Sequence, residues 1–211
     1  ENFITKTQIF KKCELNVPQI YQKFISDGIL IMEDFGDNKY SKILNQKNEE
    51  ELYFLALDCL IFLHNSESKF DLGIYDKTKF FNEVNLFFEW FLPFNGKSIS
   101  TKEKKKILNL LNKLFDVFKI FENVLVHRDY HVDNLFFCEH QEGIKKCGWI
   151  DYQDALIGPA VYDLMSLLED ARREVNTNLK KKLINYYIRK AKIKEKQQFH
   201  LPFKIIAIRR H

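Results

Sequence analysis

Apolar positions recur at helical spacing over most of this chain, and short apolar runs interrupt them at only a few places. Asn2 to Cys13 puts Phe3, Ile4, Ile9 and Phe10 on one face and predicts a helix. Asn16-Val17-Pro18 ends it, because proline has no N–H and holds its predecessor extended. Gln19 to Phe24 and Ile29 to Glu33 read as strands joined by the turn Ser26-Asp27-Gly28, a hairpin, and Asp34-Phe35-Gly36-Asp37 follows as a polar connector. Glu49 to His64 carries Leu52, Leu55, Ala56, Cys59, Leu60 and Leu63 on one helical face. Ser68 to Thr78 reads as a loop. Lys79 to Leu92 is again helical, with Glu83 and Trp90 interrupting an apolar row and Pro93 and Gly96 ending it. A third long helix, capped by Thr101 with Lys104 at its third position, runs to about Phe121.

The second half starts with an apolar run, Val124-Leu125-Val126, then a polar loop, then Leu135-Phe136-Phe137 and a hairpin closing on Gly148-Trp149-Ile150-Asp151. Tyr152 to Pro159 reads as irregular. Ala160 to Glu174 and Lys180 to Lys190 read as helices, and a last helix begins near Gln197 or Pro202. Together the pattern predicts an α+β fold, mostly helical, with few strands.

Composition narrows the picture modestly. A chain of 211 residues that is 45% hydrophobic can bury a sizeable core. A net charge of +4 with dispersed lysines gives no nucleic-acid footprint, and the basic runs Lys102–Lys106 and Lys180–Lys182 fall on solvated helix faces. Cys13, Cys59, Cys138 and Cys147 form no C-x-x-C pair, which suits small apolar fillers in a reducing compartment. The chain begins at Glu1 and stops within an apolar-basic pattern at His211, as expected of a piece of a longer protein.

The chemistry lies in VLVHRDYHVDNLFF and the following GWID. Asp129 and Asn134, five apart on one loop, can face one pocket, and Asp151 at the end of the hairpin can join them. One carboxylate can accept a proton from a hydroxyl while an amide oxygen and a second carboxylate hold Mg²⁺ on a nucleotide, as the H-R-D-x-x-x-x-N spacing does in kinase catalytic loops. A bare polar loop between strands is the plain alternative; the ordered trio of Asp129, Asn134 and Asp151 favours phosphotransfer.

With these residues in hand the sequence resembles the aminoglycoside phosphotransferase and choline kinase superfamily, and more narrowly the bacterial kinases that phosphorylate N-acetylmuramate and N-acetylglucosamine at C1 in cell-wall recycling. LIMEDFGD, FNEVNLFFEWFL, VLVHRDYHVDNLFF, GWIDYQDALIGPAVYDLMSLLEDA and AIRR carry the resemblance, and Tyr152 stands where the family has Phe. It implies a protein-kinase-like fold: residues 1–35 as a remnant of the small lobe (helix, two strands, hinge), and 36–211 as a helical large lobe with catalytic loop and metal-binding hairpin, cut short at its C-terminal end. It implies ATP and Mg²⁺ as cofactors, a small amino sugar as partner, no nucleic acid or membrane partner, and a cytoplasmic setting. By this resemblance Asp129 is the catalytic base, Asn134 and Asp151 are metal ligands, and Met32, Glu33, Asp34 and Phe35 form the adenine-binding hinge. His127 braces the loop and the buried Asp163 ties it to the following helix. Arg128, His131, Glu83, Trp90 and Asp154 are candidates for acceptor contacts, although Trp90 also reads as core. The phosphate-covering loop and strand lysine of the small lobe have no counterpart here, so the 211 residues alone are expected to be inactive. Another acceptor (an aminoglycoside or a choline-like alcohol) and a non-catalytic binding module remain alternatives.

Overall fold

The computed structural model describes residues 2–66, 70–116, 121–170 and 172–191. The elements are α1 (Asn2–Lys12), β1 (Ile20–Phe24), β2 (Ile29–Met32), α2 (Tyr40–Ile43), α3 (Glu49–His64), α4 (Lys77–Leu86), a π-helical turn (Phe87–Phe91), α5 (Leu92–Phe94), α6 (Thr101–Phe115), β3 (Asn123–Val126), β4 (Leu135–Phe137), β5 (Cys147–Trp149), β6 (Leu156–Pro159), α7 (Val161–Leu168) and α8 (Thr177–Lys190). The strands form antiparallel pairs, β1 with β2, β3 with β6 and β4 with β5. The predicted α+β class is therefore met: helices enclose a few short strands. Glu1, positions 68 and 69 of the predicted loop, positions 117–120 of the predicted third helix, the AIRR segment and the predicted closing helix lie outside the described residues.

The core is built around the second half of the chain. Phe10 of α1 packs against Trp149 of β5 and against Tyr152, with ring centroids 5.7 and 5.1 Å apart. Leu57 and Leu60 of α3, Val126 of β3, Leu135 of β4 and Leu164 of α7 are all fully buried. Each such side chain contributes about 1.5–3 kcal/mol when withdrawn from water. Tyr152 carries a hydroxyl into this core, and burial pushes its pKa up to about 12. Its partner is the Thr7 hydroxyl at 3.0 Å, which itself donates to the Phe3 carbonyl at 2.8 Å, so the tyrosine donates. A polar atom at an aromatic core position is thus satisfied from α1.

Several boundaries differ from the sequence expectations, each for a local reason. The stretch read as irregular after Asp151 contains β6, paired with β3 from Asn123↔Pro159 to Val126↔Leu156; its partner lies about thirty residues upstream, beyond any local signal. The cap of α6 is Ser100, not Thr101. Ser100 and Glu103 form a reciprocal capping box: the Ser100 N–H and hydroxyl donate to Glu103 Oε2 at 3.0 and 2.6 Å, and the Glu103 N–H donates to Ser100 Oγ at 3.2 Å. Pro93 does not end the preceding helix, which continues to Phe94. The π turn before it bonds the Leu92 N–H to the Phe87 carbonyl, and proline then falls in a new first turn where its missing N–H costs nothing. Helix α7 stops at Leu168 rather than Glu174 because Asp170 takes over the backbone: its carboxylate accepts from the Arg172 N–H at 3.1 Å. Helix α8 starts at Thr177, three residues early, under an Asn176 cap. The one-turn α2 was not expected.

The four cysteines are free thiols, three of them buried. Among the described residues no helix is long and apolar enough to cross a membrane.

Candidate active site

Strand β3 delivers the chain to His127, after which the backbone turns sharply. Arg128 has φ +76°, a left-handed conformation that costs a non-glycine residue about 1–3 kcal/mol and persists only where the surroundings impose it. The surroundings here are one carboxylate. Asp163 of α7 is fully buried and accepts the His127 N–H at 2.6 Å and the Arg128 N–H at 2.9 Å. A buried acid needs such donors, and two backbone donors on a bend need such an acid.

His127 is equally enclosed, by the rings of Phe10, Tyr130, Trp149 and Tyr152. Its Nδ1 receives the Asp129 N–H at 3.3 Å, which places the ring proton on Nε2, donated to the Ile150 carbonyl at 3.0 Å. One side chain therefore joins the loop of Asp129 to the hairpin that carries Asp151. Burial pushes its pKa down to about 4, so at neutral pH the ring is an uncharged brace. The Tyr130 hydroxyl adds a tie to the Ala56 carbonyl in α3 at 2.8 Å.

On this frame the structure brings Asp129, Asn134 and Asp151 together. Asn134 Nδ2 donates to the Asp129 carbonyl at 2.9 Å and to Asp129 Oδ2 at 3.2 Å, and lies 3.5 Å from Asp151 Oδ2. The Asp129 side chain is 42% exposed, so its carboxylate is open to an incoming molecule. Asp151 also sits in the left-handed region, at φ +63°, and is held through Oδ1 by Gln153 Nε2 at 2.7 Å. Among the described residues no three His, Cys, Asp or Glu side chains cluster tightly enough to hold a metal by themselves. The available donors are one amide oxygen, that of Asn134, and one carboxylate, that of Asp151. Such a sparse all-oxygen set suits Mg²⁺, which keeps waters and phosphate oxygens for its remaining positions.

The remaining candidates divide. His131, expected on the acceptor side, is only 3% exposed and faces inward instead: its Nδ1 accepts the Asp133 N–H at 3.3 Å and its Nε2 meets Asp129 Oδ1 at 3.0 Å. It orients the Asp129 carboxylate, a role its sequence position did not reveal. Arg128, Glu83 and Asp154 form one cluster. The guanidinium pairs with Glu83 Oε1 at 2.6 Å and reaches the Asp154 carbonyl at 3.4 Å, while the buried Tyr75 donates to Glu83 Oε2 at 2.8 Å. Tyr75 is a neighbour that reading for motifs missed. Trp90 stands two turns beyond Glu83 and is 72% exposed, so its reading as a core residue is overturned.

In the expected hinge, the Glu33 N–H bonds the Gln19 carbonyl at 2.8 Å and Asp34 Oδ1 accepts from the Gly36 N–H at 2.8 Å. Met32 closes β2 and Phe35 lies on the β4–β5 hairpin, with its ring 5.9 Å from that of Phe136. Gly148 leaves room for this contact: a Cβ there would fall 2.7 Å from the Phe35 ring and 2.9 Å from Cys138 Sγ. The connector after β2 and the hairpin ending in Asp151 are thus packed on each other.

The chain is 31% identical over 177 residues to an N-acetylmuramate/N-acetylglucosamine kinase of Pseudomonas aeruginosa, covering 80% of this chain and 49% of that protein. The protein of the same name from Neisseria meningitidis serogroup B is 30% identical over 183 residues, 84% and 53% of the two chains. The chain therefore spans about half the length of the curated relatives it matches. Among solved structures, a choline/ethanolamine kinase family protein from Mesorhizobium loti superposes with a TM-score of 0.69 at 10% identity, over 99% of this chain and 66% of the other. An ADP-bound aminoglycoside phosphotransferase gives 0.66 at 18% identity, over 97% and 69%. These likenesses show the fold. The model of the phosphotransferase enzyme family matches residues 1–196, and the chain belongs to that family.

Proposed function

We propose that the protein carrying this chain transfers the γ-phosphate of ATP, with Mg²⁺, to the anomeric C1 hydroxyl of N-acetylmuramate or N-acetylglucosamine, in the cytoplasm and in the service of cell-wall sugar recycling. The observation that carries the reading is the Asn134 amide set between Asp129 and Asp151. Asp129 acts as the base or orienting group for the attacking hydroxyl, and His131 and Asn134 fix the direction of its carboxylate. Asn134 Oδ1 and Asp151 hold the cation, which when bound neutralises charge on the phosphates. His127 and Asp163 keep the loop in its bend. Met32, Glu33, Asp34 and Phe35 meet the adenine edge. Trp90 and Asp154 face the acceptor, where an exposed indole offers a stacking surface to a sugar ring, while both Glu83 oxygens are engaged by Arg128 and Tyr75.

The sugar identity rests on the names of relatives about 30% identical. The test is phosphoryl transfer by the full-length protein to a panel of N-acetylated sugars, aminoglycosides and choline, with the phosphate position assigned by NMR. Phosphate at C1 of an N-acetylated sugar is expected; transfer to another acceptor class would replace the substrate assignment.

A further inference from the structure

Arg128 precedes Asp129 and occupies a conformation that glycine would adopt freely, at φ +76°. A side chain is kept there at the cost of backbone strain, so the question is what it does. It is not a loose surface cation: the Arg128 and Glu83 side chains are 24% and 22% exposed, and their closest approach is 2.6 Å. Glu83 is itself braced through its other oxygen by the Tyr75 hydroxyl at 2.8 Å, and Tyr75 is fixed to β6 through its N–H to the Ile157 carbonyl at 2.7 Å. On the opposite side Asp163 takes the Arg128 N–H at 2.9 Å. The residue before the catalytic carboxylate is thus gripped from two directions, by α7 through its backbone and by α4 through its side chain. Its third contact, the Asp154 carbonyl at 3.4 Å, lies three residues beyond Asp151.

We propose that Arg128 is a positioning residue: paired with Glu83, it locks the bend that aims Asp129 at the acceptor hydroxyl and couples that aim to α4. It does not touch the acceptor. The inference rests on the reading of Asp129 given above, and it separates from that reading by experiment. In the full-length protein, Arg128→Gly relieves the strained backbone while removing the clamp. Turnover is expected to fall about tenfold or more, with the KM values for Mg-ATP and sugar within about twofold and Tm unchanged within about 2 °C, since a conformationally compatible Gly offsets the lost pair. Glu83→Gln should lower turnover in the same way, and the double variant should be no slower than Arg128→Gly, because both changes release one clamp. Arg128→Lys should recover little, since an ammonium cannot reproduce the fork.

Unchanged turnover in Arg128→Gly would overturn the proposal, as would multiplicative effects in the double variant. A loss confined to the KM for sugar would make Arg128 an acceptor contact, and a loss tracking a matching drop in Tm would make it a fold residue; either outcome also overturns it. Should the wild-type protein phosphorylate no sugar, the reading of function falls. The clamp is then judged from a crystal structure of Arg128→Gly: the Asp129 carboxylate is expected to leave His131 Nε2, and an unmoved carboxylate overturns the claim.

Discussion

The hairpins β1–β2 and β4–β5 share a short apolar pattern and have opposite surroundings. On β1–β2, Tyr21, Phe24, Ile29 and Ile31 are exposed, and the register is irregular between Ile20 and Gln22. On β4–β5, Leu135 and Trp149 are completely buried beneath Phe10 and Tyr130. An isolated two-stranded hairpin is marginal in water, whereas one enclosed by helices inherits the stability of the core. Asn134 and Asp151 flank the enclosed hairpin, and Asp129 is tied to it through His127. The trio is therefore held by ties from α1, α3, α7 and the enclosed hairpin, and the connector after the exposed hairpin packs on that enclosed hairpin through Phe35.

If this contrast is right, changes around β4–β5 are costly in distinct ways and changes on β1–β2 are not. Asp129→Asn in the full-length protein should cut turnover by about 10²–10⁴ with nucleotide affinity nearly unchanged, measured by steady-state kinetics and calorimetry. Asp163→Ala strands two buried N–H groups and should cost about 3 kcal/mol in urea denaturation, because it removes two charge-assisted hydrogen bonds. Acid should expose His127. Its folded pKa of about 4 lies below the ordinary 6.5, so the unfolded chain takes the proton first. That contribution is complete above about pH 6.5 and declines as pH falls toward 4, at up to about 1.4 kcal/mol per pH unit. His127→Phe should flatten that part of the stability profile. Ile29→Ala in the 211-residue chain, where Ile29 is exposed, should change stability by less than about 0.5 kcal/mol; a loss as large as that of Asp163→Ala in the same chain would erase the distinction between the two hairpins.

What could be read from sequence follows the range of the interactions involved. Helix α3 matched its predicted bounds because sixteen consecutive residues report one periodicity. The contact between Asp129 and Asn134 was legible because the two are close in the chain and their spacing has mechanical meaning. Strand β6 was not, since its pairing with β3 is remote and its Gly158-Pro159 end reads as a turn. The capping residue of α6 was misplaced by one position although Ser100 and Glu103 have the capping-box spacing. His131 was singled out from the sequence as a candidate for acceptor contact, but its inward turn toward Asp129 was not legible, and Tyr75 was missed because it acts through Glu83 from another segment. Tyr152 lies between these cases, since its hydroxyl at an aromatic position signals a partner without naming Thr7.

The most direct test of the central claim, that Asn134 and Asp151 hold a cation on a nucleotide beside Asp129, is calorimetric titration of the full-length protein with ADP, with and without Mg²⁺, in wild type and Asp151→Asn. The account predicts affinity that rises with Mg²⁺ in the wild type and a metal response lost in the variant, at unchanged fold stability. Equal nucleotide affinity in Mg²⁺ and in EDTA, or an undiminished metal response in Asp151→Asn, would contradict it.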